Sequence, residues 1–244
     1  MRNRGRPALG RCGPGRKTGR RAAMLLMAGA LVLGHPARAQ ECGLELVLAM
    51  DVSRSVVKSE FDLQMGGLAL AFRDPEVAEA ITWTPGGVMA TATQWSGADA
   101  QIQTVPWTHL TDAASAAAFA AAIERQERAF FASYTAVGEA LFHANRLSAT
   151  NPRRCARRVI DVSGDGASNR GRPALPMAEA LAANGVTVNG LVIKGAWPDP
   201  VEFYLRNVVR GDAAFLETTE NFADYAAAIK RKLLRELSPQ VVAR

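Results

Sequence analysis

Apolar and polar positions along the chain alternate between two periods. Leu44 to Met50 is a short, almost unbroken apolar run that predicts a buried strand. The next segment spaces Val57, Phe61, Met65, Leu68 and Phe72 three and four residues apart, an amphipathic helix expected to end near Asp74-Pro75. Gly87 to Trp95 predicts a second strand and Gln101 to Val105 a shorter third, with the turn-forming Ser96-Gly97-Ala98-Asp99 between them. That link is too short for a helix, so these two strands should pair antiparallel as a hairpin.

Downstream, helices are expected over roughly Asp112 to Arg128 and from Val137 through Leu147, then a strand over Arg157 to Ser163. A helix from Leu175 to Ala183 stops at Asn184-Gly185. A strand over Val186 to Ile193, a short helix over Asp199 to Val209 and an edge-like strand over Ala214 to Thr218 follow. The last helix sets Phe222, Tyr225, Ile229, Leu233 and Leu237 on one face. Strands alternating with helices give an α/β class: a doubly wound, mostly parallel six-stranded sheet, one antiparallel hairpin strand, helices on both faces. No repeat or internal linker interrupts the pattern.

Charge changes the picture at the amino terminus. The net charge is +6, but residues 1–39 hold nine Arg or Lys and no Asp or Glu, leaving −3 for residues 40–244. Nothing in that remainder asks for nucleic acid or an anionic membrane. A basic region ending at Arg20-Arg21, an apolar stretch from Ala22 to Gly34 and the small residues of Pro36-Ala37-Arg38-Ala39 have the layout of a secretory signal peptide cleaved after Ala39. Residues 40–244 would then form a single domain with no membrane span, periplasmic or secreted. Cys12 leaves with the leader, and Cys42 and Cys155 reach a compartment where pairing is permitted.

Candidate chemistry sits in three loops. Asp51-Val52-Ser53-Arg54-Ser55 follows the first strand, placing one carboxylate and two hydroxyls on alternate residues at a strand's carboxyl end. Thr135, within Tyr134-Thr135-Ala136-Val137, and Asp165, within Ser163-Gly164-Asp165-Gly166, occupy corresponding loops. Hard oxygen donors of this kind suit magnesium and its relatives. Asp161 competes with Asp165 as the acidic donor, but Asp165 lies at the exposed end of its strand.

At these residues the chain resembles the von Willebrand factor A domain family, and within it a group of exported bacterial A-type domains. Asp51, Ser53, Ser55, Thr135 and Asp165 match that family's metal-ion-dependent adhesion site, and the resemblance covers residues 44 to 237. It implies a divalent cation, magnesium first with manganese or calcium as alternatives. It also implies an open coordination position for an acidic side chain of a partner protein. With strands one and four as neighbours, as in the family, Cys42 and Cys155 fall at the sheet's opposite edge and would form a disulfide. Tyr134, Ser168, Asn169, Arg170 and Trp197 are candidates for a rim around the ligand. Asp161 would be a carboxylate inside the sheet, supporting Ser163 or a loop amide or bonded to an unrelated core partner. Lys230, Arg231, Lys232 and Arg235 read as the wet face of the last helix, and His109 and His143 as structural.

The expected function is therefore a non-enzymatic, metal-dependent protein-binding module acting outside the cytoplasm. One rival is a structural domain of an envelope assembly that needs no metal. A second is a metal-dependent hydrolase or phosphotransferase, which would normally carry an acid where Ser53 stands; no Walker or Gly-x-Ser-x-Gly loop is present.

Overall fold

The structure is a computed structural model that describes residues 42–131 and 134–238. The expected leader, residues 1–39, lies outside the described residues. In chain order the elements are β1 (Cys42–Asp51), α1 (Lys58–Arg73), α2 (Pro75–Trp83), β2 (Val88–Trp95), β3 (Gln101–Leu110), α3 (Ala113–Glu124) and α4 (Val137–Ser148). They continue with β4 (Cys155–Gly164), α5 (Ala174–Ala183), β5 (Val186–Ile193), α6 (Pro200–Asn207), β6 (Leu216–Thr219), a 3-10 turn (Phe222–Asp224) and α7 (Tyr225–Leu237).

The strands form one sheet in the order β3-β2-β1-β4-β5-β6. Among these six strands the β2–β3 pair is antiparallel and the other four pairs are parallel. The expected α/β architecture is the observed one. Side chains alternate along β1. Leu44, Leu46, Leu48 and Met50 meet Phe61, Met65, Leu68, Phe119 and Ile229 from α1, α3 and α7. Val47 and Ala49 face the other way, in a core with Leu141, Leu181 and Tyr204 from α4, α5 and α6. Successive strands are laid down outward from β1 in both directions, so the chain switches direction between β1 and β4. In an open α/β sheet the crevice at such a switch, outside the carboxyl ends of the strands, is where ligands bind.

Two elements differ from expectation. Pro75 ends α1 but does not end helical structure: Asp74 caps a second helix, its carboxylate accepting from Glu76 N at 3.0 Å with Pro75 in the first turn. Strand β3 runs on to Leu110, past Pro106, with irregular register opposite Ala90 to Thr93. A proline is tolerated there because β3 is an edge strand.

Cys42 and Cys155 stand opposite one another at the amino ends of β1 and β4 and form a disulfide, with Cα atoms 4.4 Å apart. The expectation for Lys232 is overturned. This side chain is fully buried, with Nζ 2.7 Å from Asp161 Oδ1 and a second contact to Glu236. Asn189 donates to the same Glu236 oxygen at 2.7 Å. Position explains the burial: residue 232 lies two helical turns beyond Tyr225, on the same face. Asp161 thus has a core partner, Lys232, on the inner side of α7.

Candidate metal centre

The loop after β1 is shaped by Asp51 itself. Its Oδ1 accepts from the backbone N–H of Ser53 at 2.7 Å, folding the chain into an Asx turn that brings the next hydroxyls inward. Ser53 Oγ then lies 3.2 Å from Ser55 Oγ and 3.3 Å from Thr135 Oγ1. Ser55 Oγ donates to Asp165 Oδ1 at 2.9 Å. All five sequence-derived candidates are therefore gathered at the switch point. Asp51 and Ser53 are buried and Thr135 nearly so, whereas Ser55 is exposed and Asp165 partly so. The cluster has a closed floor and an open side.

These oxygens suit a small hard cation. An octahedral magnesium with bonds of about 2.1 Å sets adjacent ligand oxygens about 3 Å apart, close to the spacing of this ladder. Among the described residues no group of three or more His, Cys, Asp or Glu gathers around a common point; this cluster pairs two carboxylates with three hydroxyls. Oδ2 of Asp51 is buried and has no hydrogen-bond partner among the described residues. Burial, and next the charge of Asp165, push the Asp51 carboxyl up to about 8, against the pull of Ser53 and Arg128. Asp165 is also pushed up, chiefly by burial, with Ser55 opposing. Two carboxyls that resist ionisation in the protein alone form a site that a positive ion would stabilise.

The supporting residues reach in from distant parts of the chain. Arg128 Nη2 donates to the carbonyls of Val52 and Ser53 at 3.1 and 2.7 Å. Gln94, near the end of β2, holds the same segment by bonds to Glu127 O and Ala129 N. Ser96 donates to Tyr134 O at 3.1 Å, and Ala136 N donates to Ser96 O at 2.8 Å. Neither Arg128 nor Gln94 carries a signal in the local sequence pattern.

The rim candidates divide. Asn169 accepts from Thr135 N at 3.0 Å and Ser168 Oγ accepts from Val137 N at 3.2 Å, so both side chains hold the Thr135 loop in place. Tyr134 stays exposed with the Arg170 guanidinium 4.4 Å above its ring, and Trp197 is 94% exposed. With Arg54, these two aromatics line a cleft of about 400 Å³ whose wall includes Ser55, Thr135 and Asp165. His109 contacts Gly86 O at 2.8 Å, and His143 is half-buried in α4.

A search of curated proteins found no match to this sequence. The fold is similar to that of proximal thread matrix protein 1 from the mussel byssus: 19% identity, TM-score 0.62, covering 81% of this chain and 49% of that one. A second structure of that protein, described as having a zinc-occupied MIDAS motif, gives 18% identity and a TM-score of 0.60 over 80% of this chain and 46% of that one. The von Willebrand factor type A structure from Catenulispora acidiphila gives 17% identity and a TM-score of 0.57 over 80% of this chain and 42% of that one. The chain thus spans about half, or less, of the length of these relatives. At such identities the likeness shows the fold, which is of the von Willebrand factor A type. Residues 41–241 match the family described as protein of unknown function (DUF1194), and the chain belongs to that family.

Proposed function

We propose that the chain is an exported, non-enzymatic binding module that grips a partner protein through a divalent cation held by Asp51, Ser53, Ser55, Thr135 and Asp165. The observation that carries this reading is Oδ2 of Asp51, a buried carboxylate oxygen with no donor, beside a ladder of hydroxyls. A bound ion would supply the positive charge that the two carboxyls lack. The hydroxyls occupy coordination positions without adding charge, so the ion keeps attraction for an acidic side chain arriving from the open side. Magnesium suits the all-oxygen donor set, with manganese and calcium as alternatives. The zinc in the mussel protein's motif supports divalent chemistry on this fold.

The rim fits a protein ligand. Arg54 and Arg170 favour an approaching acid, and Tyr134 and Trp197 offer the flat, amphipathic area that protein interfaces use. The leader, residues 1–39, directs the domain of residues 40–244 to the periplasm or the exterior, in keeping with a disulfide.

Calorimetric titration of residues 40–244 with magnesium and manganese chloride tests the site. Saturable binding is expected, and its loss in Asp51→Ala. An unchanged titration in that variant removes the site. A pull-down from envelope extract, with and without chelator, then tests the partner: retention that ignores both chelator and the Asp51→Ala change overturns metal-dependent adhesion.

A further inference from the structure

Tyr204, on α6, is fully buried, and its hydroxyl has no hydrogen-bond partner among the described residues. The ring is admitted by two glycines on neighbouring strands. A Cβ built on Gly190 of β5 would lie 3.0 Å from Tyr204 Cδ1, and one on Gly164 of β4 would lie 2.5 Å from Tyr204 Oη. Both glycines are on the same face, because Val162 pairs with Gly190 and Gly164 with Val192. The sheet surface is thus cut away to let a phenol reach its carboxyl edge. The group it reaches is Asp51: the same point above Gly164 is 3.1 Å from Asp51 Oδ2. A buried donor without an acceptor and a buried acceptor without a donor therefore flank one glycine, no more than about 5.6 Å apart by those two distances. Towards the upper end of that range one water molecule spans the gap, with a polar partner on each side.

We propose that Tyr204 is a positioning residue for the cation site, its O–H bridged by a single water to Oδ2 of Asp51. The inference rests on reading the Asp51 loop as a cation site. Ser53 N already holds Oδ1. A second restraint on Oδ2 fixes the plane of the carboxylate, and a carboxylate oxygen has lone pairs enough to serve both a water and an ion. Partners of this kind, one step removed from the ion, commonly set metal affinity. The alternative is that Tyr204 merely fills the core among Val162, Val192 and Leu216. Phenylalanine would do that without burying a hydroxyl that lacks a partner, so the hydroxyl is a cost to the fold alone.

The test is Tyr204→Phe, read by magnesium calorimetry and by unfolding of the metal-free protein, with Asp51→Asn as the control for the site. The expected result is magnesium affinity lowered roughly 10-fold in a variant whose metal-free form still unfolds cooperatively. Equal affinity in wild type and Tyr204→Phe overturns the inference and leaves the cation site standing. No magnesium binding by the wild type overturns both. A second measurement needs no variant: with tyrosine labelled at the ring carbon bearing the oxygen, the Tyr204 resonance should move on adding magnesium. Tyr225, whose hydroxyl donates to Ser163 Oγ at 3.3 Å, should not move. A Tyr204 resonance that ignores magnesium in a protein that binds it refutes the role.

Discussion

Arg128 donates a hydrogen bond of 2.7 Å to the carbonyl oxygen of Ser53, tying the segment that leads to Thr135 onto the loop that carries Asp51. The same nitrogen reaches Val52 O at 3.1 Å, so one guanidinium satisfies two carbonyls of a tight turn. Arg128→Ala should cost about 1.5–3 kcal/mol, the usual worth of hydrogen bonds from a charged donor. Urea denaturation measures that loss. Hydrogen exchange should localise the loosening to residues 52–56 and 127–131, and unchanged exchange there would show that the turn stands without its clamp.

Asp51→Asn separates stability from binding. The amide keeps the shape of the carboxylate but has no charge to bury, so the metal-free protein should unfold at a higher temperature than wild type. Cation affinity should fall by more than the roughly 10–100-fold typical of residues that only support a ligand. Differential scanning calorimetry with and without magnesium reads both effects; a variant less stable than wild type without metal would contradict the burial cost assigned to the Asp51 carboxyl.

Lys232 stands between two buried carboxyl groups, Asp161 and Glu236. Lys232→Met removes the positive partner and leaves both acids in the core, a change that typically costs about 3–5 kcal/mol. The expected outcome is a large drop in the urea midpoint. An exposed lysine would give almost none.

The same cluster predicts a dependence on pH. Burial pushes the Asp161 carboxyl up to about 7, with Lys232 pulling it down and Glu236 pushing it up again. The unfolded chain releases this proton near the ordinary aspartate value of about 4. Between about pH 4 and 7 the folded state therefore binds more protons, and stability from this group is lost as pH rises. Asp161→Asn should flatten the decline in unfolding free energy between pH 5 and pH 7.5. An identical slope in the variant would assign the proton elsewhere.

The Cys42–Cys155 disulfide closes a sequence separation of 113 residues. Replacing both cysteines by serine should lower stability by up to about 4–5 kcal/mol on the chain-entropy account. Comparing denaturation midpoints of the double variant and the oxidised protein measures it.

Strand β1 and its loop are legible in the sequence because burial on both faces leaves an apolar run, and three side-chain oxygen donors fall on alternate residues just after it. The alternation of strand and helix puts Thr135 and Asp165 in loops at the same edge of the sheet, and the resemblance to the A-domain motif singles them out there. What escapes is whatever depends on contact between distant segments. Arg128 meets Val52 across 76 positions, and no local period marks it. Lys232 was expected in water because of its charge, although the helical repeat places it beside Tyr225 and Ile229. Pro75 reads locally as a stop, yet with Asp74 before it the same residue starts a helix. Ser168 and Asn169 line the cleft and also hold the backbone around Thr135, a second task that their polarity alone does not announce.

The disulfide joins β1 and β4, the two strands whose far ends lead into the loops bearing Asp51 and Asp165. A partner tugging on an ion held between those loops would put both strands under tension along their length. Parallel neighbours resist such shear through all their rungs at once, and with their tails cross-linked neither can slip past the other. Such a load would fall on β1 and β4 together, joined at their amino ends by the disulfide.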